Sequence, residues 1–266
     1  MPTAEHYTHG YAEAVLTSHS MRTIDNSFAY GRHLLRPGLR ALDLGCGPGT
    51  ISADIAAQVS PGQVIAVDVD AGVLERARAT TSGIDNLWFL QANAYQLGFP
   101  DDTFDLTHAH QVLQHLAEPV AALRELARVT RPGGTIAVRD ADYAALSWYP
   151  ELPGLERWRQ LYRAVARANA GEPDAGRHLL AWAHAAGLSA VEVHSSTWTF
   201  SVGDGADWWG STWAERVTDS SFADQAIGLG LATGTEIAAL GEAWREWTAD
   251  PDAVFVVPHT ELLIGC

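Results

Sequence analysis

The chain has 266 residues, 47% of them hydrophobic, enough for one large domain with a substantial core. Acidic side chains number 32 against 17 basic ones, a formal charge of -15. That balance disfavours nucleic acid and anionic membrane surfaces as partners and tilts toward neutral or cationic small molecules.

Cys46 and Cys266 are the two cysteines and lie far apart, so neither a disulfide framework nor a zinc spacing is available. Met1 to Gly10 is polar, and no apolar run approaches membrane-spanning length. The expected setting is a reducing cytoplasm, with no membrane insertion. No linker, repeat or low-complexity segment divides the chain.

Thr3 to Arg36 precede the first predicted strand and carry Tyr7, His9, Tyr11, His19, Arg22, Asn26, Phe28, Tyr30 and His33. Apolar residues recur from Tyr11 to Leu16 and from Ile24 to Leu35, which predicts two short helices. Two readings stand side by side: an amphipathic arm packed on the domain, and a lid over a ligand. Aromatics, histidines and an arginine mixed this densely suit a polar pocket with apolar walls.

The run Leu39-Arg40-Ala41-Leu42-Asp43-Leu44 predicts the first strand. It leads into Gly45-Cys46-Gly47-Pro48-Gly49-Thr50 and then a helical pattern from Ile51 to Val59. Glycines at alternate positions allow a tight turn and a close approach of a ligand to the backbone. The dinucleotide fingerprint is Gly-x-Gly-x-x-Gly. Here the third glycine comes one residue early, and Asp43 sits in the strand end. A pyrophosphate gains nothing from that carboxylate, whereas a positively charged ligand does. S-adenosylmethionine carries an ammonium and a sulfonium and no phosphate, so the loop fits it better than NAD.

Gln63 to Asp68 is the second strand, after the turn Ser60-Pro61-Gly62. Asp68 ends it, about 20 residues past the loop, where an acid accepts from ribose hydroxyls. Asp70 precedes the helical pattern Ala71 to Ala79 and caps it, which leaves Asp68 for the ribose. Leu87 to Leu90 and Phe104 to Ala109 are further strands. The helix Pro119 to Val129 stops at Arg131-Pro132-Gly133-Gly134, and Thr135 to Val138 is the fifth strand. Strands alternating with helices predict a parallel sheet covered on both faces.

Pro153 to Ala170 and Ala175 to Ala186 read as helices, Val191 to His194 and Thr197 to Phe200 as strand. Ala206 to Val217 and Glu236 to Thr248 are two more helical patterns, and Ala253 to Ile264 is the last strand. Nine of the ten tryptophans follow residue 147, which predicts an aromatic helical core there. Trp208 and Trp209 are adjacent on a helix, so one of them is free to line a pocket. A cap of aromatics over the strand ends implies a mostly apolar or aromatic substrate.

The loop Leu42 to Thr50, the end Val67-Asp68 and the run Leu97-Gly98-Phe99-Pro100-Asp101-Asp102-Thr103-Phe104-Asp105 resemble class I S-adenosylmethionine-dependent methyltransferases. So do Val112-Leu113-Gln114-His115-Leu116 and Glu125 to Gly134. The likeness covers roughly residues 36 to 140 and is nearest the ubiquinone and menaquinone methyltransferase branch. It implies an α/β fold: a Rossmann-like, seven-stranded, mostly parallel sheet with helices on both faces. An N-terminal helical arm and C-terminal helical cap insertions complete the picture. On this view residues 1–35 are the arm or lid, 36–142 the cofactor-binding core, and 143–266 the end of the sheet with its cap. The family's closing antiparallel hairpin is split here by about fifty helical residues, longer than an ordinary loop.

The resemblance also implies a cofactor site. Gly45 and Gly47 match the loop under the methionine end, Asp68 the ribose acid and Val69 the residue beside the adenine. Asn93 stands where the family has an aspartate facing the adenine amino group, and its carbonyl accepts the same bond. Ala94 matches the neighbour whose amide faces the ring, and His110 the residue whose backbone faces the amino end. Arg22 has no fixed match; it is placed either to hold the methionine carboxylate or in solvent.

Methyl transfer from a sulfonium needs alignment and exclusion of water, and a base only where the acceptor must lose a proton. His110, His115, Asp140 and Asp142 follow the fourth and fifth strands and are the candidates. His108 and His110 share a strand face, but no third ligand has useful spacing, so no metal site is predicted. The reading is methyl transfer from S-adenosylmethionine to O, N or C of a small organic acceptor. A nicotinamide oxidoreductase on a similar sheet, or a binding protein for the same cofactor that no longer methylates, are the alternatives. The sequence leaves a homodimer open.

Overall fold

The parallel sheet forms as the alternation predicts. A computed structural model describes Thr8 and residues 19–266. The readings placed on Tyr7, His9 and the stretch Tyr11 to Leu16 lie outside the described residues. Helix α1 (Ile24–Ser27) and a 3-10 turn (Ala29–Leu34) come first. Then β1 (Arg40–Leu44), α2 (Thr50–Val59), β2 (Gln63–Asp68), α3 (Ala71–Thr80), β3 (Leu87–Gln91) and β4 (Phe104–His110) alternate. Helix α4 (Pro119–Val129) and β5 (Thr130–Ala141) follow. These strands pair in parallel in the order β3-β2-β1-β4-β5.

Burial on both faces explains the arrangement. Ala41 and Leu42 are neighbours on opposite faces of β1, and both are fully buried. Ala41 packs with α2 and α3 residues such as Ile55 and Leu74. Leu42 packs with Leu123 and Leu126 of α4. Such two-sided burial gives the continuous apolar strands of a parallel sheet. Local signals set the helix starts: Asp70 Oδ1 accepts from the Val73 amide at 2.8 Å, and Pro119 opens α4 where its missing N–H costs nothing.

Seven strands were expected, and among the described residues the sheet has eight. The chain leaves the sheet after β5, turns through Tyr143–Ala145 under the Asp142 cap, and returns as β6 (Ser147–Tyr149). Strand β8 (Val254–Gly265) pairs antiparallel with β5 through its second half and with β6 through its first. Its other edge is covered along its length by β7 (Val191–Ser201), a single strand where the sequence reads two. The extra strand is thus the far end of one interrupted edge.

Helices α5 (Pro153–Ala168) and α6 (Leu179–Ala185) lie between β6 and β7; α7 (Ala206–Thr218), α8 (Ser221–Gly228) and α9 (Gly234–Ala249) lie between β7 and β8. Helix α8 has no counterpart in the sequence reading; its eight residues are too few for a clear period, and Ser220 caps it. Together α5, α7, α8 and α9 bury their own aromatic core. Trp158, Trp244 and Trp247 are fully buried, with Trp158 ring centroids 4.5 Å from Trp213 and 4.8 Å from Trp244. Among the described residues no helix is long and apolar enough to cross a membrane.

The segment before β1 is less separable than the sequence implies. Ile24 and Phe28 are buried in the core formed with β1 and α2. Phe28 packs edge-on against the His108 ring of β4, 4.6 Å between centroids. A sheet starting at Leu39 is therefore not complete without residues 24–28.

Candidate active site

Two adjoining cavities open at the carboxyl ends of the strands. The larger, about 510 Å³, lies over the ends of β1, β2 and β4. The smaller, about 330 Å³, lies between β7, α5, α7 and the segment around Met21. His19, Arg22, Gln111 and His115 border both.

The floor of the larger cavity is the glycine loop, and its three glycines have different tasks. A Cβ on Gly45 would meet Val112 Cγ2 at 2.4 Å, and one on Gly49 would meet the Phe89 ring at 2.9 Å. Those two glycines let protein pack on protein. Gly47, at φ +53°, has nothing within 4 Å of the same position and borders the cavity. It is a place where a ligand can lie against bare backbone.

Asp43 borders the larger cavity, as a residue facing a ligand's positive charge would, but its carboxylate is already partnered. Its Oδ1 bonds His108 Nδ1 at 2.8 Å and its other oxygen accepts from the Ser52 hydroxyl, all within the core. It ties β1 to β4 and α2. Asp68 borders the cavity but is not without partners. Oδ2 accepts from the Gly47 amide and Oδ1 from the Asp70 amide, both at 3.1 Å. Each carboxylate oxygen accepts more than one bond, so capacity for ribose hydroxyls remains. Burial pushes its carboxyl up, and the amides of Asp70, Gly47 and Val69 oppose that shift.

Val69, 65% exposed, Asn93, Ala94 and His110 also border this cavity, as do Gly45 and Arg22. All eight positions predicted to hold the cofactor thus surround one space. Asn93 Oδ1 accepts from the Tyr95 amide at 2.9 Å. Arg22 Nη2 donates to Gln111 Oε1 at 2.7 Å, which fixes the guanidinium at the junction of the two cavities. Gln111 was not picked out by the sequence reading. It holds a left-handed φ of +53°, unusual for a glutamine, and its amide also contacts His259 Nε2 at 2.8 Å. No sequence signal marks such a backbone.

The base candidates fare unequally. His110 is buried, and neither ring nitrogen has a hydrogen-bond partner among the described residues. Burial first, then the guanidiniums of Arg139 and Arg22, hold its ring well below the usual histidine range. His115 is held down to about 3 by burial, with Arg22 and Arg216 adding to it. Both rings are neutral and weakly basic. Asp140 and Asp142 border neither cavity. Asp142 binds Arg177 through both oxygens, at 2.6 and 2.8 Å. Asp140 is fully buried behind Gln114, whose amide donates to its Oδ1 at 3.2 Å. His108 and His110 stack 6.5 Å apart, and His108 serves Asp43.

Burial pushes the Asp140 carboxyl up to about 8, although the Gln114 and Leu113 amides oppose it. With its folded pKa above the unfolded value of about 3.9, its stabilising share is complete below that value and lost as pH rises to about 8. Asp140→Asn keeps an acceptor for the Gln114 amide and removes the titration. Its melting temperature should therefore gain on the parent between pH 5 and pH 8 (roughly the two ends of that window). Parallel melts across this range check it; a constant difference would contradict it.

A glycine floor under a strand-end cavity, with an acid closing the second strand, defines an α/β enzyme that binds a nucleoside cofactor. The chain matches a methyltransferase domain family over residues 42–138. An uncharacterized methyltransferase of Schizosaccharomyces pombe is 32% identical over 277 residues, 97% of this chain and 95% of that protein. A demethylmenaquinone methyltransferase of Clavibacter sepedonicus is 36% identical over 179 residues, 60% of this chain and 69% of that protein. The YcgJ protein of Bacillus subtilis shares the fold, with TM-score 0.56 at 21% identity over 93% of this chain and 98% of that one. So does a Haemonchus contortus phosphoethanolamine N-methyltransferase in complex with S-adenosyl-L-methionine, with TM-score 0.53 at 15% identity over 86% and 49%. The chain belongs to the S-adenosylmethionine-dependent methyltransferases. Membership decides against the nicotinamide reading of the glycine loop.

Proposed function

We propose that S-adenosylmethionine occupies the 510 Å³ cavity and that the 330 Å³ cavity takes a small, mostly aromatic acceptor, methylated at O, N or C. The supporting observation is the shared wall: His19, Arg22, Gln111 and His115 face both spaces, so two ligands would meet there. In this reading Gly47 and Gly45 underlie the methionine end and Asp68 accepts from the ribose. Val69, Asn93 and Ala94 flank the adenine, and Arg22 and His110 lie at the amino-acid end.

The bound cofactor supplies a methyl group already activated by its sulfonium. The chain's own part is alignment and exclusion of water. Burial lowers the proton affinity of His19 and His115, so the two histidines at the junction are weak proton acceptors. The acceptor therefore brings its own lone pair. The wall suits an aromatic body: Tyr143, Trp158, Phe200, Trp209 and Trp213 all border the smaller cavity. Trp208 borders it too, so both members of the adjacent pair face the space, not one. Consecutive residues at the start of α7 are a third of a turn apart and flank one concave wall.

Asp68→Ala should weaken S-adenosylhomocysteine binding by about 1–3 kcal/mol, the loss of hydrogen bonds to a charged group. Asp68→Asn should recover part of it. Titration calorimetry on both variants checks this, and unchanged affinity would remove Asp68 from the site. Incubation with methyl-labelled S-adenosylmethionine and a small-molecule extract tests the function. Label should enter an aromatic or apolar small molecule; label confined to protein or nucleic acid would contradict the proposal.

A further inference from the structure

Four indole or guanidinium groups in the smaller cavity have one chemistry in common: they donate and never accept. Trp158 and Trp209 are buried, border this cavity, and have indole N–H groups with no partner among the described residues. An indole nitrogen is a donor only, and a buried donor without a partner is costly. Arg216, 5% exposed, borders the same cavity with its guanidinium stacked 4.0 Å from the centre of the Trp213 ring. A guanidinium carries five N–H donors, so contacts elsewhere leave others able to reach a ligand. Arg22 stands at the junction end.

Carboxylates are scarce in this wall. Asp204 is the one carboxylate bordering the cavity among the described residues, and it is exposed. The buried acceptor without a partner there is Gln114 Oε1, next to His115 at the junction end. A hydroxyl or amine awaiting methylation could donate to it.

We infer that the acceptor is a planar aromatic acid, its carboxylate or equivalent anionic oxygens received by Arg216 and the indole N–H groups of Trp158 and Trp209. This rests on the reading of the smaller cavity as the acceptor site. Charge-assisted bonds to a guanidinium are about twice as strong as neutral ones, and the aromatic side chains that border the cavity suit a planar body. The chain's charge of -15 works against an anion only at long range. At physiological salt, exposed charges beyond about 8 Å are largely screened, whereas the cations named here line the cavity itself.

The test compares three probes of one shape, naphthoate, naphthamide and naphthylmethylammonium, by titration calorimetry on the full chain with S-adenosylhomocysteine present. Naphthoate should bind at least about ten-fold tighter than the amide, the scale of one charge-assisted bond, and the ammonium should bind worst. In Arg216→Met the preference for acid over amide should collapse. An amide or ammonium that binds the parent as tightly as the acid overturns the anion assignment and leaves the aromatic pocket standing. If none of the three binds, the acceptor pocket itself is misassigned, and the inference fails with it.

Discussion

Gly47→Val should lose S-adenosylhomocysteine binding by more than about 100-fold, or 2.7 kcal/mol and upward, while keeping a cooperative melt. The residue lies at φ +53° with open space where a Cβ would go, and that space is the cavity. A branched side chain there fills the position proposed for the methionine end. It also strains the backbone, since β-branched residues avoid the left-handed region. Gly83→Val separates the two effects. Gly83 has φ +93°, nothing within 4 Å of its Cβ position, and no part in either cavity. If both variants melt a few degrees low and only Gly47→Val loses the ligand, the loss is steric. Normal binding by Gly47→Val would reduce the loop to a turn.

Removing residues 1–22 should give a soluble, cooperatively melting protein with turnover reduced at least about 100-fold, the scale expected when positioning contacts to a substrate are lost. The cut takes His19 and Arg22, which border both cavities, and spares Ile24 and Phe28, which belong to the core. It also takes Thr8, whose hydroxyl accepts from Asn169 Nδ2 at 3.0 Å, a contact with the end of α5. We propose that His19 and Arg22, which border both cavities, close over the two ligands and exclude water. Hydrogen exchange should show them protected when S-adenosylhomocysteine is added. A truncated enzyme that keeps its rate would make the segment a passive tail. Aggregation would make it part of the core, and Arg22→Ala, which spares the fold, would then carry the test through its rate.

The local punctuation of the cofactor half was legible in the sequence. Asp70 before a helical pattern, Pro119 at a helix start and an apolar run ending at Asp68 are short-range signals. The family resemblance named seven of the eight positions that border the larger cavity, and Arg22 came from the composition of the N-terminal segment. What was illegible depends on distant contacts. Gln111 has a left-handed backbone, and its side chain meets Arg22 and His259, residues separated by most of the chain. The core role of Phe28 follows from packing on His108, which no periodicity ahead of β1 discloses. The break between β5 and β6 is read only once β8 is seen to run alongside both. Which indole nitrogens find no partner among the described residues, those of Trp158 and Trp209 included, is likewise settled by distant packing.

The most direct measurement is a crystal structure of the full chain with S-adenosylhomocysteine. The account predicts the ribose hydroxyls on Asp68, the adenine between Val69 and Asn93, and the amino-acid end over Gly47. The sulfur should face the junction bordered by Arg22, Gln111 and His115. An adenosine bound elsewhere, or a sulfur turned away from the aromatic cavity, would contradict it.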